Sequence, residues 1–226
     1  MKVFIVGSRG NCQYAAMYKQ DGWTITDNIE TADLVQFTGG HDVSPDLYGC
    51  KEHPQSMCNA ARDSNERDYY LRAIEQSKPM AGICRGGQFL NVMNGGRMYQ
   101  HVDNHGIAGT HKAYCTQSGQ TIDVTSTHHQ MMIPNDKNGI VLLHVAKSLC
   151  THKDYVDDQG DMVFYRATNS LCFQPHPEYV EGEACREYFL ATVMARLFQQ
   201  WERFTKLTGY APYNYEEDEE NYEEDE

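Results

Sequence analysis

Long hydrophobic runs are missing from this 226-residue chain. No apolar stretch approaches the roughly 20 residues that a membrane-spanning helix needs, which excludes a helical membrane protein. The opening "MKVFIVGSRGNCQ" has one lysine, a very short apolar core and no small-residue cleavage site, so it reads as a first strand rather than a signal peptide. No C-x-x-C pair occurs among the eight cysteines (12, 50, 58, 84, 115, 150, 172 and 185), which leaves a cysteine-rich structural zinc site with little support. With no export signal, most of these thiols are expected to be reduced, in a soluble, cytoplasmic protein. No basic stripe marks a nucleic-acid footprint. "GSRGN" (7–11) lacks dinucleotide-binding and P-loop spacing, and no internal repeat of useful length occurs.

Positive charge is also scarce: 19 Lys and Arg stand against 32 Asp and Glu, for a net charge of −13. The imbalance is local. Residues 216–226, "EEDEENYEEDE", hold nine acids and no base, so residues 1–215 carry only about −4. A run of like charge repels itself, and the expected organisation is one domain over residues 1–210 followed by a disordered acidic tail, 211–226. Solubility accounts for such a tail, and docking of a basic partner is the other reading.

What is present is an alternation of short apolar strands and helical stretches, the pattern of an α/β layered fold. "KVFIVG" (2–7), "ADLVQFTGG" (32–40) and "PMAGIC" (79–84) read as buried strands. Helices are expected over 12–19, from a cap at Ser64, and through "GGQFLNVMNGG" up to the Gly95-Gly96 pair. Residues 41–62 read as a long loop. After residue 110 short strands dominate, as in "HKAYCT", "TIDVTS", "GIVLLHVA", "MVFYRA" and "LCFQP". The spacing of Ala184, Tyr188, Ala191, Met194, Leu197 and Trp201 predicts one amphipathic helix over 181–201.

Cys84 sits among glycines in "PMAGICRGGQFLNVMNGG" (79–96). It is either a small buried filler or a nucleophile on a sharp strand-to-helix turn. Such a turn pushes the side chain out at the carboxyl ends of the strands, and the helix N-terminus favours thiolate. Gly82, Gly86 and Gly87 suit the close packing this requires, and the backbone N–H of Arg85 is left free to face a developing oxyanion. A cysteine hydrolase also needs a base and a group to orient it. "FQPHPE" (173–178) supplies His176 and, on the same face of an extended segment, Glu178.

"GICRGGQ" followed about 90 residues later by "HPE" resembles the class I glutamine amidotransferase-like superfamily. "TGGHDVSPDLYG" (38–49) and "STHHQ" (126–130) are similar to its γ-glutamyl hydrolases, including the γ-glutamyl-γ-aminobutyrate hydrolase group. That resemblance implies a flavodoxin-like, doubly wound, mostly parallel sheet with helices on both faces, and a Cys84-His176-Glu178 triad. It implies that the backbone N–H of Gly40 joins that of Arg85 in the oxyanion hole, and that Gln88 and His128 lie near the substrate. Asp42 and Tyr48 fall in the family's lid-like loop, with a structural role and ligand contact equally open. Thr38 stands where proline or serine is usual, and the Tyr48–Arg62 loop is short for the family.

The resemblance further implies a reaction without metal or organic cofactor: Cys84 attacks a glutamine or γ-glutamyl amide, and water hydrolyses the resulting thioester. An alternative is a glutaminase subunit that passes ammonia to a separate synthetase. Two other classes stay open, a metal protein built on His101, His105, His111 and the His128-His129 pair, and a non-catalytic binding module on the same fold.

Overall fold

The computed structural model describes residues 1–7, 12–106, 109–146 and 160–212. The acidic tail, Cys150 and most of "GSRGN" lie outside the described residues.

β1 (Lys2–Val6) leads to α1 (Cys12–Gln20), the short β2 (Thr24–Ile25) and β3 (Leu34–Phe37). α2 (Ala60–Glu75), β4 (Met80–Ile83), α3 (Arg85–Met93) and β5 (Arg97–Tyr99) follow. Then come β6 (Thr110–Cys115), β7 (Thr121–Thr125), β8 (Met131–Ile133), β9 (Gly139–Val145), β10 (Met162–Tyr165) and β11 (Ser170–Phe173). α4 (Glu183–Phe198) and α5 (Glu202–Thr208) close the described chain.

Nine strands form one sheet in the order β2-β1-β3-β4-β11-β10-β9-β6-β7, and β5 pairs with β8 separately. Pairing is parallel from β2 to β11 and antiparallel from β11 to β7. Residue pattern explains the division. β3, β4, β10 and β11 are buried along their whole length, as central strands covered on both faces must be. β6, "THKAYC", alternates exposed and buried residues, as a strand with one wet face does. Helices cover both faces. Tyr14, Met17 and Tyr18 of α1 share a core with Tyr188 and Phe189 of α4 and Phe204 of α5. Tyr70 of α2 and Phe89, Leu90 and Val92 of α3 fill the core on the other face.

Three local expectations are corrected. α2 begins at Ala60, because the Asn59 side chain accepts the Arg62 N–H at 3.0 Å, and Ser64 is inside the helix rather than at its cap. The long loop is therefore shorter than expected, and a 3₁₀ turn over Pro45–Tyr48 occupies part of it. The helix expected over 181–201 breaks at Gln199, in left-handed conformation at φ 57°. This break lets Trp201 pack on Phe204, with centroids 5.9 Å apart, and under the Arg196 guanidinium at 4.8 Å. The seven described cysteines are free, and among the described residues no helix is long and apolar enough to cross a membrane.

Candidate active site

β3, β4 and β11 are adjacent and parallel, so their carboxyl ends open on one edge of the sheet. The glycine turn 39–40 follows β3, Cys84 follows β4, and His176 and Glu178 follow β11. Ligand sites of doubly wound sheets form at such an edge.

Cys84 occupies the sharp turn before α3, at φ 51° and ψ −116°, a left-hand backbone that L residues adopt only under constraint. The constraint is packing. A Cβ on Gly82 would come within 2.3 Å of the Gly86 carbonyl oxygen, one on Gly86 within 2.4 Å of the Phe37 carbonyl oxygen, and one on Gly87 within 2.8 Å of the Phe173 nitrogen. Three missing side chains thus let α3 lie directly on β3, β4 and β11 and force the cysteine outward.

The His176 ring and Cys84 meet across the glycine turn, where a Cβ on Gly39 would lie 3.1 Å from His176 Cε1 and 3.5 Å from Cys84 Cβ. On the ring's other side, Nδ1 meets Glu178 Oε1 at 2.7 Å. Burial alone would push the His176 pKa down, but the facing sulfur, its hydrogen bond and Glu178 carry it up to about 11. The ring is thereby held protonated near neutrality. The residue is fixed twice more: its backbone N–H donates to Thr125 Oγ1 at 2.6 Å, and Tyr179 stacks on the ring with centroids 4.6 Å apart.

Two backbone donors face this edge. Arg85 starts α3, so its N–H has no intrahelical acceptor, and neither it nor Gly40 N–H bonds an acceptor among the described residues. Gly39 is different: its N–H donates to the Tyr14 phenol oxygen at 2.9 Å.

Beyond its backbone N–H, Arg85 has a side chain to which the sequence assigns no role. It is buried, pairing with Asp63 and Glu66, which are buried too. Glu66 also takes Arg62 Nε at 2.7 Å, and Arg62 Nη2 donates to the Thr38 carbonyl at 2.8 Å. Burial lowers the Arg85 pKa to about 10. This network ties α2 to the Cys84 turn and the glycine turn together. Its sequence signal was legible: Arg62, Asp63 and Glu66 at helical spacing, and a charged residue next to Cys84 with nowhere to go but inward.

Gln88, one turn into α3, gives its Nε2 hydrogen to Gln174 Oε1 at 3.1 Å. His128 is buried, with Nδ1 2.8 Å from the Gln130 carbonyl and its ring 4.7 Å from that of His105. Burial, with His105 adding to it, pushes its pKa down to about 3. Asp42 takes a structural part, accepting the Met57 N–H at 2.9 Å and facing His129 Nε2 at 3.2 Å. Tyr48 buries its phenol oxygen in the apolar cluster around α2 and α3. His111 Nε2 meets Asp161 at 2.8 Å, and among the described residues no three His, Cys, Asp or Glu side chains are grouped to hold a metal ion. Hollows of about 640 and 840 Å³, around Trp23 and Trp201 and around Ile122 and Leu207, contain none of the triad.

Comparison with known proteins bears on the fold and the family. The family model "Peptidase C26" matches residues 5–162. A glutamine amidotransferase-like protein of Lactococcus lactis subsp. cremoris is 44% identical over 82 residues, 34% of this chain and 44% of that protein. A protein of Mycobacterium tuberculosis named for glutamine amidotransferase is 30% identical over 170 residues, 66% of this chain and 52% of its own length. Matches to the first relatives span about a third to a half of their length. Among solved structures, PurLQS from Thermotoga maritima superposes with a TM-score of 0.61 at 16% identity, covering 90% of this chain and 98% of that one. The chain belongs to the peptidase C26 family and, with it, to the class I glutamine amidotransferase-like superfamily.

Proposed function

We propose that this protein hydrolyses γ-glutamyl amide bonds, in glutamine or a γ-glutamyl-amine, through a thioester on Cys84. The observation that carries the reading is the convergence, at the ends of three neighbouring strands, of a strained cysteine, a histidine backed by a carboxylate, and two backbone N–H groups without an acceptor among the described residues. The sulfur anion attacks the γ-carbonyl carbon, and charge gathers on an oxygen facing the N–H groups of Gly40 and Arg85. His176 gives its proton to the departing amine as the C–N bond breaks. It then takes a proton from water, whose oxygen attacks the thioester, releasing glutamate and restoring the sulfur anion. Each oxyanion donor contributes on the order of 10²- to 10³-fold in rate. Gln88 and His128 lie on the side of the substrate's amino-acid end. The reducing cytoplasm suits an enzyme that depends on a free thiol.

A second reading shares every step up to the thioester. The relatives are named for amidotransferases, so the ammonia released from glutamine would pass to a separate synthetase. One experiment bears on both. The protein is trapped with diazo-oxo-norleucine, the labelled peptide is identified by mass spectrometry, and turnover of glutamine and γ-glutamyl-amines is measured for wild type and Cys84→Ala. A label on Cys84, with turnover by the isolated chain that the variant lacks, is expected. Hydrolysis surviving in Cys84→Ala overturns the nucleophile. Turnover of glutamine that requires a partner favours the subunit.

A further inference from the structure

Tyr14 is the third residue of α1 and belongs to no motif used above. It is almost fully buried, and its phenol stands where the glycine turn meets the triad. The oxygen accepts the Gly39 N–H at 2.9 Å. A Cβ on Gly39 would lie 3.1 Å from that oxygen, 3.1 Å from His176 Cε1 and 3.5 Å from Cys84 Cβ, so phenol, imidazole and cysteine all crowd the same point of the turn. The phenol has also a proton to give, and a buried hydroxyl needs an acceptor. Its neighbour is Glu178, whose charge acts on the phenol. One carboxylate oxygen of Glu178 holds His176, while the other, Oε2, is buried and makes no other hydrogen bond among the described residues.

From this juxtaposition we infer that Tyr14 is a positioning residue, accepting from Gly39 N–H and donating its phenol proton to Glu178 Oε2, so that one hydroxyl aligns the oxyanion turn with the triad carboxylate. The inference rests on the hydrolase reading above. Two consequences follow. With its N–H committed to Tyr14, Gly39 is unavailable to the substrate, and Gly40 is left as the donor of that turn. With Oε2 tethered, Glu178 cannot rotate Oε1 away from His176. Ionisation of the phenol is opposed by burial and, after it, by the Glu178 charge, so the tether keeps its proton at working pH.

Tyr18, one turn along the same helix, is an internal control, because its buried hydroxyl bonds Gln36 Oε1, away from the triad. Tyr14→Phe and Tyr18→Phe are compared for thermal midpoint, for kcat and KM on glutamine, and for the pH dependence of Cys84 alkylation by iodoacetamide, followed on the Cys84 peptide. Tyr14→Phe is expected to lower kcat about 10- to 100-fold, as loss of an outer-shell partner does, with KM unchanged and the alkylation inflection moved to higher pH. Tyr18→Phe should lose stability and keep both kcat and inflection. Combined with Glu178→Gln, Tyr14→Phe should add little further loss, since both act through one carboxylate. Wild-type kcat and inflection in Tyr14→Phe, whatever its stability, overturn the inference, and so does a rise confined to KM. If Tyr14→Phe does not fold, 3-fluorotyrosine at position 14, a stronger donor of nearly the same shape, replaces it, and an unmoved inflection is then the overturning result. Alkylation needs no substrate, so it judges Tyr14 even where wild type turns over no γ-glutamyl amide and the hydrolase reading falls.

Discussion

Tyr179 lies flat on the ring of His176, centroids 4.6 Å apart and planes within 6°. The ring that must reach both a sulfur and a carboxylate is therefore clamped on its face as well as at its edges. Such a stack contributes about 0.5–1.5 kcal/mol, so Tyr179→Leu should lower kcat roughly two- to tenfold without changing the site of Cys84 labelling. A variant with wild-type kcat would show that the Glu178 bond orients the ring without the stack.

The nucleophile turn depends on missing side chains. Gly82→Ala places a Cβ 2.3 Å from a backbone oxygen that cannot step aside, so α3 must lift from the sheet. Overpacking costs about 1–3 kcal/mol. The expected outcome is a lower urea midpoint together with loss of electrophile labelling at Cys84. Wild-type labelling in a stable Gly82→Ala protein would mean that the turn tolerates movement.

Glu66 holds two guanidinium groups, those of Arg62 and Arg85, with no exposure of its own. Removing one partner of a buried pair typically costs about 3–5 kcal/mol, because the remaining charge is stranded. Glu66→Ala should therefore lower stability by that order in denaturant titration. It should also reduce kcat, since Arg62 anchors the turn that carries Gly40. A loss below about 1 kcal/mol, the range of exposed pairs, would place the network in water.

His128 gives a pH signature. Its pKa falls from 6.5 to about 3 in the folded protein through burial, whereas in the unfolded chain the ring takes up a proton near 6.5. Below that pH the unfolded state binds more protons, so stability is lost as pH drops from 6.5 toward 3, by about 1.4 kcal/mol per unit at most. Urea midpoints measured from pH 7 to pH 4 should fall more steeply for wild type than for His128→Asn. Parallel slopes would show that His128 contributes no acid sensitivity.

Much of the catalytic edge was legible because its parts are local in sequence. A strand, a cysteine and a helix start are contiguous in residues 80–93, and His176 and Glu178 are two residues apart, so each motif could be read without its partner. Tyr14 and Thr125 were invisible for the opposite reason. Each meets the triad or its turns only in the folded chain, from 25 positions (Tyr14 to Gly39) to 164 (Tyr14 to Glu178) away. The Ser64 cap failed because Asn59, Asp63 and Ser64 all carry capping side chains within six positions, and Asn59 had the N–H of Arg62 in reach. The single long helix failed because periodicity continues through Gln199 while the packing of Trp201 does not.

Alternation of buried strands and helices, the cysteine at a glycine-flanked turn and the histidine-carboxylate pair were determined by sequence alone, since each is a property of neighbouring residues. Strand order was not. Only the tertiary structure decided that β3, β4 and β11 lie side by side, because crossovers around both faces cost entropy that long-range burial alone repays. That adjacency brings a sulfur, an imidazole and two amides into one cavity edge. It also determines where the proton of a buried phenol must go.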